Sequence, residues 1–194
     1  MILFGYQTIV IGGSAGATAA LTELLPIFPA EYPLPIIVAQ HLHPWQNDYF
    51  IEHFSAKCAL TVKEADEKEP IRPGYAYFAP PNYHLLIEDD KTFSLSIDAK
   101  VNYARPSIDV MFESAADVYA PWIVGVILTG ANNDGAFGLR RIKEKGGLAI
   151  VQDPQTAESS YMPKAALEAT RVDYVLPLKE IGKLLLEIPR RAIA

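Results

Sequence analysis

Three short stretches hold residue types suited to nucleophilic chemistry. Gly12-Gly13-Ser14-Ala15-Gly16 has the form G-x-S-x-G. Small residues around such a serine let a strand turn sharply into a helix and expose the hydroxyl. The helix N-terminus beside it supplies backbone N–H groups for a developing oxyanion. A serine needs a base, and the second apolar run ends Val38-Ala39-Gln40-His41. A base needs an orienter, and Asp134 in Gly130-Ala131-Asn132-Asn133-Asp134-Gly135 can accept from imidazole Nδ1–H. Each residue also has a plainer reading. Ser14 and Asp134 are good helix N-caps, and His41 could be a surface loop residue. His43, on the same side of an extended segment, competes for the base role. Three such groups at three strand ends, in the order Ser…His…Asp, are a stronger signal than any one alone. That order is not the one found in α/β-hydrolases.

The same glycine turn could instead cradle a phosphate. Against this, Ser14 stands where the dinucleotide fingerprint needs its second glycine, and a side chain there obstructs the pyrophosphate. The second strand ends in Gln40 and His41, not in an acid that could hold a ribose. No GKS or GKT follows to complete a Walker loop.

These residues need a scaffold that brings strand ends to one edge. Thr8–Ile11, Leu34–Ala39, Trp122–Leu128, Leu148–Val151 and Tyr174–Leu176 are short apolar runs rich in β-branched residues. They alternate with helical patterns at Ala17–Leu25, Gln46–Ala56, Pro106–Tyr119, Asp134–Lys145, Met162–Ala169 and Leu178–Ile188. Gly74–Phe78 is a further strand. His84–Glu88 and Thr92–Ile97 flank the turn Asp89-Asp90-Lys91 as a hairpin. The rhythm predicts an α/β fold: a doubly wound, mainly parallel, Rossmann-like sheet with an antiparallel β-hairpin at its edge, in a single domain over 1–194. Lys63–Glu69 is expected as a solvated loop. Tyr49, Phe50, His53 and Phe54 are expected to face inward, and Cys58 to be buried and inert.

Bulk properties narrow the function. The chain has 194 residues, half of them apolar, and a net charge of −6 with no basic run, which argues against nucleic acid as a partner. One cysteine and four scattered histidines offer no familiar metal set. The first strand begins near Met1, leaving no room for a signal peptide, and no apolar run reaches membrane-spanning length. A cytoplasmic protein without membrane insertion, metal or organic cofactor is expected.

At these residues the chain resembles the catalytic domain of the chemotaxis protein-glutamate methylesterases. The resemblance runs through IGGSAGA around Ser14, VAQHLHP around His41, PIRPGYAYFAPPNYHL at 70–85 and NYARPSIDVMFESAA at 102–116. It continues through GVILTGANNDGAFGL at 125–139, GGLAIVQDPQTA at 146–157 and YMPKAALE at 161–168. It implies Ser14 as nucleophile, His41 rather than His43 as base, and Asp134 as orienter. It also implies oxyanion donors at the Ala15 and Ala131 amides, where the family usually has threonine and methionine. Ala104-Arg105-Pro106 stands where His-Arg-Pro is common. Arg105 is a candidate for meeting acidic substrate side chains or for capping the helix that begins near Pro106. Tyr161, Met162 and His84 are candidates to border the cleft, a structural role being at least as apt for His84. The implied activity is demethylation of glutamate γ-methyl esters on chemoreceptor signalling helices, with deamidation of glutamine by the same machinery. A same-fold esterase with another substrate, or a non-catalytic signalling scaffold, are the alternatives. Family members usually carry a receiver domain ahead of the catalytic unit. The first strand starts too early for one here, so a separate regulator or receiver protein is the expected control.

Overall fold

A computed structural model describes residues 5–41 and 47–190. The first half of the chain runs β1 (Thr8–Gly13), α1 (Ala17–Leu24), β2 (Ile36–Gln40), α2 (Asn47–Ser55), β3 (Thr61–Glu64), β4 (Tyr75–Phe78), β5 (His84–Ile87) and β6 (Phe93–Ser96). The second half runs α3 (Ile108–Tyr119), β7 (Ile123–Ile127), α4 (Ala136–Glu144), β8 (Leu148–Gln152), α5 (Tyr161–Ala169), β9 (Tyr174–Leu176) and α6 (Leu178–Glu187).

Seven strands make one parallel sheet in the order β3-β4-β2-β1-β7-β8-β9. Alternation along the strands divides the core into two layers. Ile9, Ile11, Ile36, Val38, Val124 and Val126 point to one face, covered by α1, α2 and α6. Val10, Ile37, Ile123, Ile127 and Val151 point to the other, covered by α3, α4 and α5. Strands buried on both faces are why these segments read as continuous apolar runs. β5 and β6 form a separate antiparallel sheet. Its Leu85, Ile87 and Phe93 join the second layer with Phe112 and Tyr77. β1 lies at the centre, with β2 on one side and β7 on the other. At such a reversal of strand order the carboxyl ends of the strands open a crevice.

Some local expectations fail for identifiable reasons. β3 overlaps the expected loop at Lys63 and Glu64. It is an edge strand with only Val62 buried, and its charged neighbours Lys63 and Glu64 disguise it. In α2, Phe50 and Phe54 pack inward with Phe78, but Tyr49 is 84 % exposed and His53 is exposed too. Each lies one position from a buried ring, about 100° around the helix. α3 begins two residues after Pro106, with Ser107 as its N-cap, Oγ accepting from Val110 N–H at 3.4 Å. Cys58 is half-buried.

Candidate active site

Ser14 ends up at the crevice because β1 stops at Gly13 and α1 starts at Ala17. The tight approach depends on Gly12: a Cβ there would lie 2.4 Å from Ile108 Cγ2. The turn is stitched to its neighbours. Ser14 N–H donates to Thr129 O at 2.9 Å, and Thr129 Oγ1 donates to Ala15 O at 2.8 Å while accepting from Ser159 N–H at 2.8 Å. Thr129 N–H is held in turn by Gln152 Oε1 at 2.9 Å. Among the described residues the Ala15 and Ala131 N–H groups have no acceptor, and Ser14 Oγ has no hydrogen-bond partner.

His41 follows β2 directly, and its N–H donates to Gly13 O at 3.3 Å, beside the serine turn. Its side chain is 15 % exposed, and Nε2 lies 2.7 Å from Asp134 Oδ2. The sequence alone suggests Nδ1 at the acid. Instead Nδ1 lies 3.1 Å from Asn132 Nδ2. His43 lies outside the described residues.

Asp134 is fully buried and does not cap its own helix; α4 begins at Ala136 with Gly135 at the cap position. Its carboxylate instead serves α3, accepting from Ile108 N–H at 2.6 Å and Asp109 N–H at 3.2 Å. Ser107 Oγ at 2.8 Å and Asn102 Nδ2 at 2.9 Å complete its partners. Asp109, on α3, returns the service by accepting from Gly138 N–H of α4 at 2.7 Å. Each helix N-terminus thus receives a carboxylate from the other element, satisfying both open amides and dipole. Ile108 seats between Gly12 and Gly135, where a Cβ at Gly135 would lie 2.6 Å from Ile108 Cγ2. Gly135 has φ 92°, which further favours glycine.

The two buried acids have opposite electrostatics. Burial pushes Asp134 up, but hydrogen bonds from His41, Asn102 and Ile108 N–H outweigh it and leave the carboxyl below its ordinary value. Asp109 is raised to about 6, mainly by burial and partly by the nearby Asp134 charge, against the pull of Gly138 N–H and Asn102. Asn102 Nδ2 bridges the pair, 2.8 Å from Asp109 Oδ2. A buried anion receiving an imidazole N–H, next to a free hydroxyl and two free amides, can orient a base and hold it as imidazolium.

A family model for the CheB methylesterase matches residues 9–185. The chain belongs to the CheB methylesterase family. A Leptospira interrogans relative, provisionally named protein-glutamate methylesterase/protein-glutamine glutaminase, is 53 % identical over 183 residues, covering 94 % of this chain and 95 % of the relative. The Thermotoga maritima protein-glutamate methylesterase/protein-glutamine glutaminase is 36 % identical over 185 residues, 94 % of this chain and 54 % of that protein. The crystal structure of the Thermotoga maritima CheB methylesterase catalytic domain superposes with a TM-score of 0.90 at 36 % identity, covering 94 % of this chain and 98 % of that one.

In this CheB-family chain, Ser14, His41, Asp134 and the Ala15 and Ala131 amides converge at one end of the sheet. Arg105 does not join them. Its Nη1 donates to Ile97 O at 2.6 Å and Asp98 O at 2.9 Å, so it fastens the hairpin exit and does not cap α3. His84 is buried, accepting from Ser107 N–H at Nδ1 (3.2 Å) and meeting Ala99 O through Nε2 (3.1 Å). It ties the hairpin to the start of α3. Met162 is buried against Gly130, whereas Tyr161 is exposed. Asn102 and Ser107 are partners of Asp134 that the catalytic pattern in the sequence does not include. Ser107 carried a usable signal, a serine just ahead of a helical pattern. Among the described residues no helix is long and apolar enough to cross a membrane.

Proposed function

We propose that this protein is a serine esterase that hydrolyses glutamate γ-methyl esters on chemoreceptor signalling helices, working in the cytoplasm, and that it deamidates glutamine by the same chemistry. The observation carrying this reading is the 2.7 Å contact of His41 Nε2 with the buried Asp134 carboxylate beside the Ser14 turn. Because Nε2 is committed to Asp134, Nδ1 is the nitrogen that takes the Ser14 proton. Ser14 Oγ attacks the ester carbonyl, and the Ala15 and Ala131 N–H groups receive the oxyanion. The tetrahedral intermediate collapses, the C–OCH3 bond breaks, and the imidazolium gives its proton to the departing methoxide oxygen, which leaves as methanol. Water, deprotonated by His41, then attacks the acyl-enzyme and releases the glutamate carboxylate and Ser14. With glutamine as substrate the leaving group is ammonia. Asp134 stays ionised throughout, in keeping with its lowered carboxyl. The relatives' names as protein-glutamate methylesterases support the substrate class.

The test is methanol release from a methylated chemoreceptor cytoplasmic fragment. Wild type should release methanol, and Ser14→Ala or His41→Ala should lose about 10⁴-fold or more in rate. Full activity in Ser14→Ala would overturn the proposal.

A further inference from the structure

Three hydrogen bonds around His41 close into a ring. Asp134 N–H points to Asn132 Oδ1 at 3.0 Å. Asn132 Nδ2 points to His41 Nδ1 at 3.1 Å, and His41 Nε2 points to Asp134 Oδ2 at 2.7 Å. A backbone N–H only donates, so the Asn132 atom facing it is the carbonyl oxygen. The other side of that amide is then its NH2, which also only donates, so His41 Nδ1 must accept and carries no proton. The ring proton therefore sits on Nε2, where a carboxylate waits for it. One backbone amide fixes the orientation of Asn132, and the Asn132 NH2 at Nδ1 and the Asp134 carboxylate at Nε2 then require the same tautomer of His41.

The ring has a second effect. Nδ1 is the nitrogen that must receive the Ser14 proton, and at rest the Asn132 amide occupies it. Ser14 Oγ, correspondingly, has no hydrogen-bond partner among the described residues.

We propose that Asn132 is a positioning residue that latches His41 Nδ1 in the resting protein, in the tautomer that the Asp134 carboxylate also demands, and yields that nitrogen to Ser14 when substrate enters. The inference rests on the esterase reading for its kinetic consequence, but the tautomer it assigns does not depend on turnover.

The decisive measurement is two-bond ¹H–¹⁵N NMR of ¹⁵N-histidine-labelled protein at neutral pH, with His41 assigned by comparison with His41→Ala. Wild type should show an unprotonated Nδ1 and a protonated Nε2. Asn132→Asp is near-isosteric and keeps an acceptor for Asp134 N–H. Its second oxygen can only accept, so it demands a proton on Nδ1. In that variant the Nδ1 signal should become that of a protonated nitrogen, and methanol release should fall by about 10²-fold or more as general-base catalysis is lost. Asn132→Ala removes the latch while Asp134 keeps Nε2 protonated, so release should rise about 2- to 10-fold, the worth of one neutral hydrogen bond. A wild-type spectrum with Nδ1 protonated overturns the inference. So does an Asn132→Asp protein whose Nδ1 stays unprotonated and whose rate is unchanged while Ser14→Ala is inactive. Retained release in Ser14→Ala would instead defeat the esterase reading and leave the tautomer result standing.

Discussion

Asp109→Asn should change how stability depends on pH. Asp109 is 4 % exposed and pairs with Gly138 N–H and Asn102, yet burial and the Asp134 charge raise its carboxyl from 3.8 to about 6. Below about 4 the group is protonated in both the folded and unfolded chain. Above about 6 it is ionised in both. Between these limits the folded protein holds a proton that the unfolded chain has released, so stability falls as pH rises. At about 1.4 kcal/mol per pH unit, the loss across the window is about 3 kcal/mol. Asp134, Asp117 and Asp90 are lowered carboxyls with the opposite sign. Their stabilisation is complete above about 4 and fades only below it, so the window from 4 to 6 belongs to Asp109 among these groups. Asparagine cannot ionise, and its Oδ1 can still accept from Gly138 N–H. Urea unfolding of wild type and Asp109→Asn at pH 4, 5, 6 and 7 measures the difference by linear extrapolation. Wild type minus variant should drop by about 2.4 kcal/mol from pH 4 to pH 7, the remainder of the loss lying below pH 4. A difference constant to within about 0.5 kcal/mol across that range would refute the electrostatic reasoning.

Gly138→Ala should destabilise the protein by about 1–3 kcal/mol in the same urea titration, because its Cβ would lie 2.5 Å from Phe112 Cβ where α4 crosses α3. Ser107→Ala removes both the α3 cap and a donor to Asp134, so it should cost about 1–2 kcal/mol. It should also slow methanol release by loosening the acid that holds His41.

The parallel sheet was legible because its strands are buried on both faces and interrupted by helices, leaving β-branched runs such as Thr8–Ile11 and Trp122–Leu128. The juxtaposition of Ser14, His41 and Asp134 was legible because topology alone brings strand ends to one edge. β3 was not, since a short edge strand with one buried residue has no periodic signature. Nor was the capping exchange between Asp134 and Asp109. In sequence each acid sits near its own helix start, and only the crossing of α3 with α4 makes each serve the other. The ring nitrogen facing Asp134 was likewise beyond reach, because it depends on the angle at which the chain leaves β2.

The partners that converge on Asp134 come from far along the chain: Ile108 is 26 residues away, Ser107 is 27, Asn102 is 32 and His41 is 93. Nothing local prefigures the constellation. Its assembly waits on closure of several long loops, each an entropic cost met only when the whole sheet has formed. Recovery of turnover during refolding should therefore lag the return of helical signal, and a fragment lacking α3 or the β7–α4 turn lacks groups that hold Asp134.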